Sequence, residues 1–312
     1  MTLGSGPREL VVLGTAGAVP TRERNHNGYL LRWDGTSVLF DPGEGIQRQM
    51  LHAGVSSPRI ERICVTHRHN DHCLGVPGVL NRMAQDRPGR ELTIHGPQDA
   101  VEHLHGLAVV AQANVRVRVQ GHPALQEEVP VADVAGSALT ARALDHRVPA
   151  LGYRLTEPGH VTFSREALAA AGITGPDVGR LQREGELRGV RLEDVSTRRR
   201  GQVFAFVMDT RLCPAVGEVV AGADLAVLEC TFAERDVDLA RARGHLTAAQ
   251  AGDVAARAGV RTLVLTHVSA RYRGEELGRE ARAAVAAAGG RTTVHVAQDL
   301  DVVAVPPRRG RG

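Results

Sequence analysis

The chain contains no lysine, so all 38 of its Lys+Arg positions are arginine. Any anion it meets must therefore be held by planar guanidinium forks rather than by flexible ammonium groups. An arginine-rich base composition of the genome explains the missing lysine better than selection for phosphate contacts. Cysteine is scarce as well. Cys64, Cys73, Cys213 and Cys230 stand far apart with no CxxC pair, which leaves no basis for a zinc ribbon or a dense disulfide framework and fits a reducing cytosol. No stretch of about 18 apolar residues occurs, and the N-terminus lacks a basic region followed by a long apolar run. A soluble, cytoplasmic protein without membrane contact is expected. An excess of positive charge is missing too, because 35 acidic residues leave a net charge of only +3. A nucleic-acid partner would have to be gripped by a local basic patch, towards which the sequence pI near 8.9 leans. No internal repeats are present.

What remains is enough for one large core or two modest ones, with 312 residues and 43% hydrophobic content. Short runs rich in Val, Ile and Leu recur at 10–13, 29–31, 38–40, 63–65, 92–94, 203–207, 225–228, 263–265 and 302–305, and they read as buried strands. Segments with helical spacing lie between several of them, at 74–85, 98–112, 248–258 and 275–288. Alternation of the two implies an α/β architecture, taken as a single domain over 1–305. Between Pro158 and Gly201 the apolar runs thin out, Gly175-Pro176 interrupts, and Arg180, Arg183, Arg188, Arg191 and Arg198–Arg200 accumulate. This segment is expected to be an inserted arm. Residues 306–312 read as a disordered tail.

The densest chemical signal is His67-Arg68-His69-Asn70-Asp71-His72, between the expected strand at 63–65 and a helix beginning near Leu74. Imidazole and carboxylate are donors that zinc accepts, and His67 and His69 on a turn can converge on one ion while Asp71 and His72 serve another. Four such groups packed together without a metal would be costly to desolvate. Other apolar runs also end in a potential ligand where the strand should stop: His146, Asp209, Glu229 and His267. Taken singly, each of these could be an ordinary cap or core residue. Their shared position beyond the carboxyl ends of strands places them on one rim. Two trios result, His67, His69 and His146 for one ion and Asp71, His72 and His267 for the second, with Asp209 bridging. Two ions held together can lower the pKa of a shared water to about 7 and clamp an in-line displacement, which suits a phosphodiester. The remaining histidines, and Cys64 and Cys73 beside the cluster, read as structural.

The order HxHxDH followed by His, Asp and His at strand ends resembles the metallo-β-lactamase superfamily, which implies a four-layer αββα sandwich. Further stretches resemble ribonuclease Z: Gly14–Pro20 with Arg24-Asn25, Phe40–Gly45, Gly152–Arg154, Asp209–Arg211, and Leu265–His267 with Arg271-Tyr272. The resemblance implies two zinc ions, or manganese or iron, and a homodimer in which one subunit's arm serves the other's site. It implies that Asp71 accepts the proton of the attacking water, that His245 assists the leaving oxygen and that Glu229 orients His245. It also implies that the arm, including Gly175, Pro176, Arg180 and Arg183, reaches for the body of precursor tRNA. The loop carrying Arg24 and Asn25 would examine the acceptor end, with Arg271 also at the substrate. Pro42, Ile46, Met208 and Leu246 depart from the family pattern, the last two beside catalytic positions.

The expected function is thus a zinc-dependent endoribonuclease that removes the 3′ trailer of precursor tRNA, leaving a 3′-hydroxyl and a 5′-phosphate. A phosphodiesterase for small cyclic or aryl diesters is the alternative enzyme reading, for which the arm is superfluous. A non-enzymatic RNA-binding module is the third, and the complete ligand set counts against it.

Overall fold

The computed structural model describes residues 6–308. They form two compact units, the larger ending at Leu155 and resuming over Val203–Pro306, the smaller comprising Thr156–Gln202 with Pro307 and Arg308.

Among the described residues, the larger unit is built on two seven-stranded sheets. The first runs in the order Val302–Ala304, Glu9–Gly14, Gly28–Trp33, Thr36–Phe40, Ile60–Cys64, Glu91–Pro97 and Arg116–His122. The second runs Thr293–Val296, Thr262–Thr266, Leu225–Glu229, Val203–Val207, Ala150–Thr156, Ser137–Leu144 and Val129–Val134. Pairing is antiparallel from Val302–Ala304 to Thr36–Phe40 and parallel from there to Arg116–His122.

The continuous apolar runs follow from burial on both faces. Leu10 and Val12 face the core between the sheets, whereas Val11 and Leu13 face an outer core beneath helices. Helices Ile46–His52, Val76–Asp86 and Val101–Val110 cover the first sheet; Pro214–Val220, Ala248–Arg257 and Gly274–Ala287 cover the second. The result is the expected αββα sandwich.

Aromatic rings lock the inner layer. Phe206 stacks on Phe40 at 4.7 Å between centroids and meets Tyr29 edge-on at 5.2 Å, while the Trp33 indole N–H donates to Ser137 Oγ across the sheets at 3.0 Å. Three further contacts join the sheets where strands end. The Tyr29 hydroxyl donates to Asn27 Oδ1 and lies 2.6 Å from Thr266 Oγ1, the Tyr153 hydroxyl donates to the Val65 carbonyl at 2.8 Å, and the Leu151 N–H donates to the Thr66 carbonyl at 2.9 Å.

Strand Arg116–His122 lacks an apolar run because it is an edge strand, with Arg116, Arg118 and Gln120 exposed. The helix expected over 98–112 begins as a short 3-10 turn at Gln98–Ala100. Helix Ala248–Arg257 starts at a capping box, the Thr247 hydroxyl accepting from the Gln250 N–H and the Gln250 side chain from the Thr247 N–H.

The smaller unit is more ordered than its sequence implies. Strands His160–Phe163 and Ser196–Arg199 pair antiparallel, helices Arg165–Ala170 and Pro176–Glu184 follow one another, and Ile173, Leu181, Leu187 and Val195 form a core. These four are isolated in sequence and become a core only by folding. Of the expected tail, residues 309–312 lie outside the described residues, and Arg308 is held by the Glu157 carboxylate.

Truncating a ring at the centre of the inner layer tests this account of its packing. Phe206→Ala should lose about 3–5 kcal/mol of stability in urea unfolding; a loss below 1 kcal/mol would show that the inner layer does not depend on the ring.

Candidate metal centre

The sandwich brings every expected metal ligand to one rim, where the two sheets meet. His67 follows strand Ile60–Cys64, and His69, Asp71 and His72 lie in and before the short helix Asn70–Cys73, so these four come from the first sheet. His146, Asp209 and His267 each stand just past a strand of the second sheet. Two ligand groups emerge, His67, His69, His146 with Asp209, and Asp71, His72 with His267, the donor atoms within each lying within 4.8 Å of one another.

Asp209 divides its two oxygens between the groups. Its Oδ2 lies 3.6 Å from His67 Nε2 and 3.8 Å from His146 Nε2. Its Oδ1 lies 3.4 Å from His72 Nε2 and 3.2 Å from His267 Nε2. Asp71 Oδ2 completes the second group, 3.3 Å from His72 Nε2 and 3.6 Å from His267 Nε2. Two donors each about 2.0–2.1 Å from a shared tetrahedral ion stand roughly 3.4 Å apart, so these spacings fit cation binding. Asp209 Oδ1 and His267 Nε2 are also buried without a hydrogen-bond partner. Such atoms are costly unless a cation receives their lone pairs.

Electrostatics agree. Burial, then repulsion from neighbouring imidazoles, holds His67 well below the ordinary histidine range, and burial also lowers His69 and His146, favouring neutral rings able to ligate. Burial also opposes charge on Asp209, but His267, His72, His245 and His67 outweigh it and keep the carboxyl well below the usual range. On His72 the balance reverses: burial works against its charge, yet Asp71, Asp209 and Asp41 push it well upward. Those three carboxylates require positive charge at that point, which a cation would supply.

Hydrogen bonds on the far side of three of the rings fix which nitrogen faces inward. His72 Nδ1 meets Asp41 Oδ2 at 2.8 Å, His146 Nδ1 donates to the Gly244 carbonyl at 2.8 Å, and His267 Nδ1 meets Thr231 Oγ1 at 2.6 Å. Asp41 in turn accepts from the Thr66 N–H and hydroxyl, both at 2.7 Å. Asp41 (φ 43°) and His267 (φ 59°) both adopt left-handed backbone, a cost of order 1–3 kcal/mol each that their surroundings must hold.

His245 and Glu229 lie beside this centre. His245 Nδ1 is 3.0 Å from Glu229 Oε1, which also accepts from the Thr210 N–H at 2.9 Å. Burial alone would lower His245, but Glu229 and then Asp209 raise it to about 9. A further possible trio of Asp209, His245 and His267 exists, but the His245 nitrogen nearest Asp209 is the one committed to Glu229.

Asp41, Thr66 and Thr231 escaped the sequence reading. Asp41 carries the same signal as the ligands, standing one residue past strand Thr36–Phe40. Met208 and Leu246, which depart from the family pattern, are both fully buried, Met208 in the core between the sheets and Leu246 in the core beneath the outer helices. Arg24 is engaged with Thr15 Oγ1 and the Ala297 carbonyl, and the Asn25 amide with the Glu44 carbonyl, at 2.6, 2.8 and 2.8 Å. Arg271 is exposed beside the centre. Gly175 precedes helix Pro176–Glu184 in the smaller unit, on which Arg180 pairs with Glu184 at 2.9 Å and Arg183 is exposed.

Residues 8–117 match the family described as Anti-Pycsar protein Apyc1, and residues 161–268 match the beta-lactamase superfamily domain. The chain is 75% identical over 304 residues to the Ribonuclease Z of Kineococcus radiotolerans, covering 97% of each. It is 54% identical over 303 residues to that of Streptomyces coelicolor, covering 97% of this chain and 99% of the other. The crystal structure of the short form of human tRNase Z superposes with a TM-score of 0.68 over 96% of this chain and all of the other, at 23% identity, and so shares the fold.

Loss of the Asp41 carboxylate tests the support of the ligands. Asp41→Asn should weaken metal retention by about 10–100-fold, read as the chelator concentration that strips half the bound metal; retention equal to wild type would remove Asp41 from the centre.

Proposed function

The chain belongs to the ribonuclease Z family, and from that premise we propose that it removes the 3′ trailer from precursor tRNA by hydrolysing one phosphodiester at its metal centre. The observation that carries this reading is the division of Asp209 between two nests of imidazoles, with His245 and Glu229 on the same rim. His67, His69 and His146 would hold one divalent ion and Asp71, His72 and His267 a second, Asp209 lending one oxygen to each. Zinc suits this donor set best, and manganese or iron would be accepted by the same groups. When bound, the ions supply Lewis acidity that acidifies a water and neutralises phosphoryl oxygens.

The chain's own groups then move the protons. Asp71, held ionised because His72 and His267 outweigh its burial, accepts a proton from the attacking water. That water's oxygen becomes part of the 5′-phosphate on the trailer. His245 donates a proton to the departing 3′ oxygen, which stays on the tRNA as a hydroxyl. Its Nδ1 is turned to Glu229, leaving Nε2 for the leaving group. Glu229 keeps the ring protonated near neutral pH and oriented.

The unit Thr156–Gln202 grips the tRNA body through phosphate and ribose, as suits a segment rich in arginine and poor in aromatics. Its Arg180 and Arg188 are paired with Glu184 and Asp177, so Arg183 is the better phosphate contact on its helix. Arg24 and Asn25 act by holding the loop that faces the acceptor end. The protein works as a cytoplasmic homodimer, one subunit's arm serving the other's site.

Deleting Val161–Arg199 should cut precursor tRNA cleavage at least ~100-fold while sparing turnover of bis(p-nitrophenyl) phosphate. Parallel loss or retention of both activities would refute the arm's role, and intact metal-loaded protein active only on the small diester would leave the small-molecule phosphodiesterase reading standing. Because Glu229 raises His245, Glu229→Gln should move the alkaline limb of the pH–rate profile to lower pH, since the acid form is lost earlier; an unmoved limb would break the proposed relay.

A further inference from the structure

Beside the metal centre lies a cleft of about 210 Å³, whose wall includes His245, Phe232, Leu239 and the side chains of Arg147, Arg243 and Arg271. This volume is below the ~300–1,000 Å³ that encloses a drug-sized ligand, so the cleft suits one unit of a longer chain. Nearby Arg211 is paired with Asp145 at 2.9 Å, and Arg235 with Glu276 and Asp236. Among the described residues, by contrast, no carboxylate lies within ion-pair distance of Arg147, Arg243 or Arg271. Three exposed guanidinium groups without counter-ions make an anion site, and planar forks suit a phosphate. The floor is apolar, since Phe232 is buried with its ring 5.8 Å from that of His245.

We propose that this cleft holds the nucleotide on the 5′ side of the cleaved bond, with Arg147 and Arg243 on that nucleotide's own 5′ phosphate and Phe232 against its ribose or base. The inference rests on the ribonuclease reading and deepens it. His245 serves the departing 3′ oxygen, and that oxygen belongs to the 5′-side nucleotide, so the space flanking His245 belongs to that nucleotide rather than to the trailer. The next phosphate along the strand then falls among the arginines. Arg243 ends helix Val237–Arg243, where a cation also complements the helix dipole. Arg147 lies in the loop after His146 and has no such role.

The test is a cycle between enzyme and substrate. Precursor tRNAs carry a neutral methylphosphonate at the linkage 5′ of the discriminator nucleotide or at the first linkage within the trailer, and each is cleaved by wild type and by the Arg147→Gln/Arg243→Gln variant. Both side chains are exposed, and circular dichroism checks the fold. Wild-type kcat/KM should fall roughly 10-fold with the 5′-side replacement, and the variant should start lower and lose little more. Additive losses at the 5′ linkage, or coupling to the trailer linkage instead, would overturn the proposal while leaving the ribonuclease reading intact. If the wild-type enzyme does not cleave the unmodified precursor tRNA yet hydrolyses bis(p-nitrophenyl) phosphate, the ribonuclease reading fails and this proposal with it.

Discussion

A single buried carboxylate sets the terms for the rest of the molecule. Asp209 sits among His67, His72, His146, His245 and His267 at the seam of two sheets, almost fully removed from water. A charge in that position costs several kcal/mol unless it is paired and its lone pairs are used. His72, His146 and His267 are held by outward hydrogen bonds, so their Nε2 atoms converge with its oxygens. Inward-facing acceptors in this number suit a bound metal ion.

Because the donors come from both sheets, the seam must not slip. The hydroxyls of Tyr29 and Tyr153 and the Leu151 amide cross it directly beneath the ligands, and the stacked rings of Phe40 and Phe206 resist displacement below them. A shift of an ångström would undo both ligand groups. The left-handed backbone of Asp41 and His267 is held by the same framework. Strain at a ligand and rigidity beneath it are two aspects of one design.

The division into two compact units follows a similar logic. The larger unit carries both ligand groups together with His245 and Glu229, whereas Thr156–Gln202 has its own small core around Leu181. In the smaller unit Arg180, Arg188 and Arg191 are paired with Glu184, Asp177 and Glu193, while among the described residues no carboxylate pairs with the Arg147, Arg243 and Arg271 that line the cleft beside His245. Such a local group of arginines is one way in which a chain of low net charge can present an anion-binding surface.

Much of this was legible in the linear chain, because a strand buried on both faces must be a continuous apolar run and a ligand at its end interrupts that run visibly. His67, His69, Asp71 and His72 announce themselves by crowding into six positions, whereas His146, Asp209 and His267 do so by such an interruption. Asp41 carries the same mark but is not a ligand; its role depends on which ring it faces, a matter of distance across the sheet. The core of the smaller unit was hidden since Ile173, Leu181, Leu187 and Val195 are scattered singly, and edge strand Arg116–His122 was hidden since its exposed face is polar. The sequence alone determined which groups could bind metal and roughly where strands would deliver them. Only the tertiary structure decided how Asp209 shares its oxygens, that Met208 and Leu246 are buried in the apolar cores, and that Arg147 and Arg243 line one cleft with His245. Such pairings are made across turns and between sheets, over separations at which local spacing carries no information about direction.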